Sequence, residues 1–195
     1  MSRTKFYITT SIAYTNAPPH IGYALELVQA DVLARYRRLA GNDVFFLTGT
    51  DEHGTKIVKA AQAVGKTPKD FTEELSQRFK DLTKILNLSN DDFIRTTDQK
   101  KHWPNVKNVW LKLKENGDIY KKKYKGLYCV GCEAFIKEKD LVDGQCQIHN
   151  QKPEIIEEEN YFFKLSKYAG VVKDKIEQGE LKIVPDGRKN EILSF

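Results

Sequence analysis

The sequence predicts an α/β fold in which helices cover a parallel β-sheet and a small β-rich knuckle subdomain is inserted. Two observations carry this. Strand, loop, helix and strand follow one another over residues 5–48, which is a βαβ unit, and two strands joined by such a crossover run parallel. From Ile119 to about Leu165 the chain then turns to short, turn-rich, β-like segments around Cys129, Cys132, Cys146 and His149. A length of 195 residues holds one ordinary domain with a small insertion, and a hydrophobic content of 40% is enough for a buried core. The expected division is residues 1–118, 119–165 and 166–195.

Lys5 to Ser11 are rich in aromatic and β-branched types and stop at a polar, proline-bearing loop, Tyr14 to His20. After Gly22, the apolar residues Leu25, Val28, Val32, Tyr36 and Leu39 fall on one face of a helix that Gly41 can end. The strand Val44 to Thr48 follows at once, and ligands of such a sheet gather at the carboxyl ends of its strands. A second helix starts near Thr55. A third has Thr67 as N-cap, Pro68 in its first turn and Phe71, Leu75, Phe79, Leu82 and Leu86 as its buried stripe. Phe93 to Thr96 reads as another strand, followed by an amphipathic helix from about Gln99 to Asn116 with Gly117 as its stop. A helix from about Ser166 to Gln178 returns the chain to the main fold, and Glu191 to Phe195 is expected to end without a closing element.

The four knuckle residues spell C-x2-C-x13-C-x2-H and include the only three cysteines of the chain. Two tight knuckles bearing thiolates and an imidazole suit one tetrahedral zinc. Four protein ligands leave no open position, so the metal is expected to be structural and the chemistry to lie elsewhere. Buried apolar thiols or redox cysteines are the alternatives.

No apolar run approaches membrane-spanning length, and Met1 to Lys5 lead into a mixed strand rather than a signal core or a transit peptide. The expectation is a cytoplasmic protein without a membrane partner, since zinc-bound thiols suit a reducing compartment. A net charge of +5 is compatible with nucleic acid and does not establish it. Lys121 to Lys123 and Glu157 to Glu159 read as solvated surface, with the basic run able to touch a phosphate backbone.

Two loops can carry chemistry. In Pro18 to Tyr23, between a strand's end and a helix's start, unpaired N–H groups and a partial positive charge favour phosphate. His20 can donate to its oxygens, and Gly22 lets the backbone approach a flat base. A capping or core histidine is the alternative. In Thr48 to Gly54, acidic residues at a strand's carboxyl end face the same crevice, where a carboxylate can hold an ammonium group. A turn whose Asp51 and Glu52 cap the next helix is the alternative. No partner ligand at a recognisable spacing supports a metal at Asp51, Glu52 and His53.

Ala13 to Gly22, Asp43 to Gly54 and Tyr128 to Phe135, together with Gly65 to Pro68, Asp92 to Thr97, Gly117 to Tyr120, Asn160 to Phe163 and Asn190 to Phe195, resemble the methionyl-tRNA synthetase family. The resemblance runs through essentially the whole chain. It implies a class I synthetase with a Rossmann-type catalytic domain and a zinc-bearing connective peptide inserted between its halves. It further implies synthesis of methionyl-adenylate from methionine and MgATP, then transfer of methionine to tRNA. His20 and Gly22 then belong to the HIGH-type signature that holds ATP, with His20 on the phosphates. Asp51 binds the methionine ammonium, and Ser11, Ile12 and Tyr14 line the amino-acid pocket. The methionine carboxylate attacks the α-phosphorus, so no covalent enzyme intermediate is needed, and rate comes from alignment and charge stabilisation.

The signature's last position, normally His, is Tyr23, which the resemblance places with His20 and Gly22 on ATP and with His20 in catalysis; it can donate through its hydroxyl but cannot supply an imidazolium. No KMSKS-type loop, later pocket aromatics or anticodon-binding domain is found. The expectation is an amino-terminal portion, feebly active alone, with a complementary polypeptide as a possible partner. The rivals are a class I synthetase for another amino acid, a non-catalytic zinc-stabilised tRNA-binding module and a plain zinc-ribbon structural protein. Thr50 to Gly54 and the knuckle after Tyr128 favour methionine, and the two crevice loops argue against the last.

Overall fold

The computed structural model describes residues 3–194. Strand β1 (Lys5–Thr9) and its continuation β2 (Ala13–Tyr14) lie parallel to β3 (Asp43–Asp51). Strand β4 (Asp92–Arg95) pairs parallel with the other side of β3. β3 is longer than expected: it runs on through Thr48 and Thr50, both buried with hydroxyl partners, and ends at Asp51. Along the edge, Thr9 pairs with Leu47 and Ala13 with Thr50, four steps against three, so one extra residue bulges out between them. Such a bulge re-aims the side chains beside it, here those of Thr10 to Ile12.

Helix α1 (Ile21–Leu39) returns the chain from β2 to β3, and it packs by a different face from the one its large residues suggest. Its buried residues are Tyr23, Leu27, Ala30, Asp31 and Ala34, whereas Leu25, Val28, Val32 and Tyr36 are exposed and Leu39 is 88% exposed. The small side chains explain this. Ala30 and Ala34 let the helix axis approach Phe46, Ile8 and Val44 closely, which larger residues would prevent.

Helix α2 (Thr55–Ala63) precedes α3 (Pro68–Ile85), whose N-cap Thr67 accepts the Asp70 N–H at 3.1 Å, as its sequence predicts. Phe79 joins Tyr23, Leu27 and Ala13 in a second core cluster. α1 and α3 therefore cover the face of β3 that carries Phe46, Thr48 and Thr50. Tyr7 and Phe45, their rings 5.9 Å apart, are exposed on the sheet, so helices cover one face.

Helix α4 (Trp103–Glu115) starts later than Gln99, because the Asp98 carboxylate takes the N–H groups of Lys100 and Lys101 in a separate turn. The inserted subdomain is a long antiparallel pair of β5 (Ile119–Cys129) and β9 (Glu154–Phe163), with β6 (Ala134–Ile136) on the outer side of β5. β7 (Leu141–Val142) and β8 (Gln145–Cys146) make a second small hairpin. The two charge runs face each other across this ladder: Lys123 stands opposite Glu159 and Lys125 opposite Glu157, with Lys121–Glu159 and Lys125–Glu157 ion pairs. Of the basic run, Lys121 is thus paired across the ladder with the acidic run.

At the base of the hairpin, buried Asp118 accepts from Lys167 Nζ at 2.6 Å and Tyr168 Oη at 2.5 Å, which docks α5 (Ser166–Glu177). A further helix, α6 (Asp186–Leu193), runs through Glu191, where no closing element was expected; none of its residues is buried, so no core stripe announced it. Among the described residues no helix is long and apolar enough to cross a membrane.

Candidate functional site

A groove of about 510 Å³ at the carboxyl ends of β1 and β2 is lined by Ser11, Ile12, Tyr14, His20, Gly22 and Tyr23. The strand bulge places Ser11 there, and the start of α1 closes the other side. His20 is the N-cap of α1: its Nδ1 accepts the Gly22 N–H at 3.1 Å. That bond requires an unprotonated Nδ1, which leaves the neutral ring's proton on Nε2 as a donor. A Cβ at Gly22 would stand 3.0 Å from Cε1 and 3.1 Å from Nδ1 of this ring. The first use of this glycine is therefore to let the imidazole fold back over the helix end.

Glu26 was not anticipated in the sequence. From α1 it accepts the Ser11 N–H at 2.6 Å and the Ser11 hydroxyl at 2.7 Å, tying the bulge to the helix. Its only signal was its place about one turn beyond Gly22. Tyr23 departs from the expected phosphate donor. Its hydroxyl lies 3.3 Å from both Thr48 Oγ1 and the Gly49 carbonyl, and its ring packs edge-on against Phe79. A phenol is longer than an imidazole and reaches the core, so its donor is already engaged there.

Asp51 ends β3 directly beside Tyr14 in register, with its carbonyl accepting the Thr15 N–H at 3.0 Å. It stands next to the groove rather than among its lining residues. The Tyr14 hydroxyl donates to Glu133 Oε1 at 2.9 Å. Burial and the Glu133 carboxylate raise its pKa far above the usual tyrosine range, which keeps the proton on it.

Glu52 does not cap α2, whose N-cap is Gly54 without a side-chain bond. Its carboxylate is buried and takes Arg95 Nε at 2.7 Å, Arg95 Nη2 at 3.0 Å and Thr50 Oγ1 at 2.7 Å, with Thr97 on its second oxygen. Burial opposes its charge, and the Arg95 guanidinium and the hydroxyls outweigh that, so its pKa lies below the usual glutamate value. His53 sits 3.3 Å from the Thr96 carbonyl.

Among the described residues the one grouping of potential metal ligands is Cys129, Cys132, Cys146 and His149, whose ligand atoms all lie within 4.8 Å of one another. Cys132 Sγ is 3.5 Å from Cys146 Sγ and 3.2 Å from His149 Nδ1. Metal–sulfur bonds of about 2.3 Å put tetrahedral ligand atoms about 3.5–3.8 Å apart, which the Cys132–Cys146 separation meets, and small side-chain shifts bring the other atoms onto one ion. Gly131 makes room: a Cβ there would fall 2.4 Å from His149 Cγ. The His149 backbone and ring hold the Cys146 thiol down at about 6, and the neighbouring Cys146 sulfur pushes Cys132 up to about 12. Crowded sulfurs of this kind share their charge comfortably only around a cation.

The sequence profile of the family described as tRNA synthetases class I (M) matches residues 6–146 and 136–195. A methionine–tRNA ligase of Thermotoga maritima is 50% identical over 98% of this chain and 31% of its own length. One of Clostridium acetobutylicum is 48% identical over 98% of the chain and 30% of its own. The structure of Mycobacterium tuberculosis methionyl-tRNA synthetase in complex with methionyl-adenylate superposes with a TM-score of 0.91 at 40% identity, covering 98% of this chain and 38% of that one. Its apo form superposes with a TM-score of 0.75 at 36% identity, covering 99% and 37%. The chain thus spans about a third of the length of these relatives, and over that span it belongs to the class I tRNA synthetase (M) family.

Proposed function

We propose that this chain is the portion of a methionine–tRNA ligase that holds methionine and the phosphates of ATP, and that the whole enzyme makes methionyl-adenylate and passes methionine to tRNA. One observation carries the reading: Ser11, Ile12, Tyr14, His20 and Gly22, along the stretch that leads from β1 through β2 into α1, line one groove at the carboxyl ends of parallel strands, with Phe79 of α3 also lining it. With Nδ1 committed to the helix end, His20 offers Nε2–H to a phosphate oxygen at the positive end of α1. Asp51 binds the methionine ammonium, and Ser11, Ile12 and Tyr14 shape the pocket around the amino acid. Tyr23 supports His20 and Gly22 from the core by packing.

The methionine carboxylate attacks the α-phosphorus of ATP, which arrives with Mg²⁺ as substrate, and these groups align the two reactants. Cys129, Cys132, Cys146 and His149 hold zinc, which when bound neutralises the thiolates and fixes the knuckle. We place the protein in the cytoplasm, where thiol ligands stay reduced. The apolar stripe of α1 and the Tyr7–Phe45 face suit contact with the remaining two-thirds of such an enzyme, whether continuous with this chain or a complementary polypeptide.

Methionine-dependent ATP–pyrophosphate exchange by the zinc-loaded enzyme tests this. Exchange is expected in the whole enzyme, to be lost in Asp51→Ala, and to be feeble in the 195-residue chain alone. Exchange driven by a different amino acid would overturn the assignment to methionine, and exchange unaffected by Asp51→Ala would overturn the ammonium site.

A further inference from the structure

The metal knuckle reaches the groove through one side chain. Glu133 directly follows the ligand Cys132 and takes a left-handed backbone conformation, φ 51°. Its Oε1 accepts the Tyr14 hydroxyl at 2.9 Å, and its Oε2 lies 3.5 Å from Nζ of Lys56 in the first turn of α2. One carboxylate from the inserted subdomain therefore meets two elements of the sheet domain, β2 and α2. The loop before α2 is built to permit this. A Cβ at Gly54 would stand 1.9 Å from Tyr14 Oη and 3.4 Å from Glu133 Oε1, and Gly54 has a φ of 137° that side-chain-bearing residues rarely adopt.

A phenol rotating about two side-chain bonds needs something to hold it, and a charged acceptor makes the stronger kind of hydrogen bond. The half-buried Lys56 contact is long, at 3.5 Å, and adds little beyond orienting the carboxylate. Two-thirds of the Glu133 side chain is shielded from solvent (32% exposed), so water competes only in part for the Tyr14 hydroxyl.

We propose that Glu133 is a positioning residue for the amino-acid pocket, holding the Tyr14 ring against the groove from the metal knuckle. The inference rests on the reading of Tyr14 as a pocket wall. Its consequence is that the knuckle, which supplies no reacting group, sets the shape of the methionine site through Tyr14.

The test is equilibrium dialysis of methionine and, separately, of ATP on the zinc-loaded full-length enzyme, with zinc content measured in each variant. Glu133→Ala is expected to weaken methionine binding roughly ten-fold, leaving ATP binding and zinc content unchanged. Glu133→Gln keeps an acceptor for the phenol and is expected to bind within about two-fold of wild type, since a neutral bond replaces a charged one. On a Tyr14→Phe background, Glu133→Ala is expected to cost nothing further. An equal loss on that background, a loss shared by ATP, or no loss at all would overturn the proposal. A wild-type enzyme that binds no methionine would instead overturn the functional reading on which it stands.

Discussion

Glu52 and Arg95 meet in a bidentate ion pair, Nε on Oε1 at 2.7 Å and Nη2 on Oε2 at 3.0 Å, with the carboxylate sealed from solvent. Arg95 also reaches Glu73 at 2.8 Å, so one guanidinium joins the end of β3, β4 and helix α3. The pair sits one residue beyond Asp51 and fixes the strand end that presents it.

Replacing Arg95 by Met would leave the Glu52 charge buried with only hydroxyl partners. Breaking a buried pair by removing one partner costs about 3–5 kcal/mol, and the partial exposure of Arg95 puts the expected loss near the lower figure, about 3 kcal/mol. Urea unfolding at neutral pH checks this. Glu52→Gln, which removes the buried charge itself, is expected to cost less.

The same pair sets an acid limit. The folded state depresses the Glu52 pKa, so its stabilisation is complete above the ordinary glutamate value of 4.5 and is lost as pH falls through the lower folded value. Thermal melts from pH 6 downward are therefore expected to fall more steeply in wild type than in Glu52→Gln. Parallel melting curves would remove this carboxylate as the cause.

The elements with a strong internal pattern were legible in the sequence: α3 with its Thr67 cap and the βαβ order stand where their patterns place them, and Cys129, Cys132, Cys146 and His149 come together in one cluster. α1 was misread because size was taken for burial. Its large residues form an equally regular stripe, and only the position of Phe46 against Ala30 and Ala34 decides which stripe faces the sheet. In the site, His20 and Gly22 were visible as a loop signature, but their mutual contact was not. Glu26 and Glu133 were invisible, because each acts on a residue far along the chain, Ser11 and Tyr14, that only the fold brings near.

On the proposed reading His20 has two separable jobs, the cap on α1 and a donor to phosphate. Asn at this position can keep a capping acceptor near Nδ1 while losing the Nε2 donor, whereas Gln keeps a donor further out and loses the cap. His20→Asn is expected to retain stability and lose about 10²- to 10³-fold in pyrophosphate-exchange rate. His20→Gln is expected to lose about 1 kcal/mol of stability and less rate. A greater loss of rate in His20→Gln than in His20→Asn would show that the capping bond, rather than Nε2–H, is what the reaction uses.

Gly131 is expected to control metal affinity without being a ligand. A Cβ there would enter the His149 ring at 2.4 Å, so Gly131→Ala must push the imidazole out of the cluster or shift the Cys129–Cys132 turn. Faster zinc release to a chelator, by ten-fold or more, is the expected outcome, as for losses of supporting groups around a metal. Removing the metal from wild type should melt the knuckle hairpins while leaving the parallel sheet's circular dichroism largely intact, because the ligands all lie between Cys129 and His149.

The outer stripe of α1 is where the proposed contact with further chain can be tested. Ile21, Leu25, Val28, Val32, Tyr36 and Leu39 follow one another at helical spacing and are all exposed, Ile21 and Leu39 at 88%. Apolar surface arranged this way drives association when nothing covers it. The 195-residue chain is therefore expected to bind a hydrophobic dye and to self-associate in sedimentation velocity. The double variant Leu25→Gln/Val32→Gln should suppress both without lowering the chain's own melting temperature. If the rest of the proposed enzyme covers this stripe, the same pair should cost the full-length protein about 2 kcal/mol or more through lost buried contacts. Self-association unchanged by these replacements would place the sticky surface elsewhere, with the Tyr7–Phe45 face of the sheet as the next to vary.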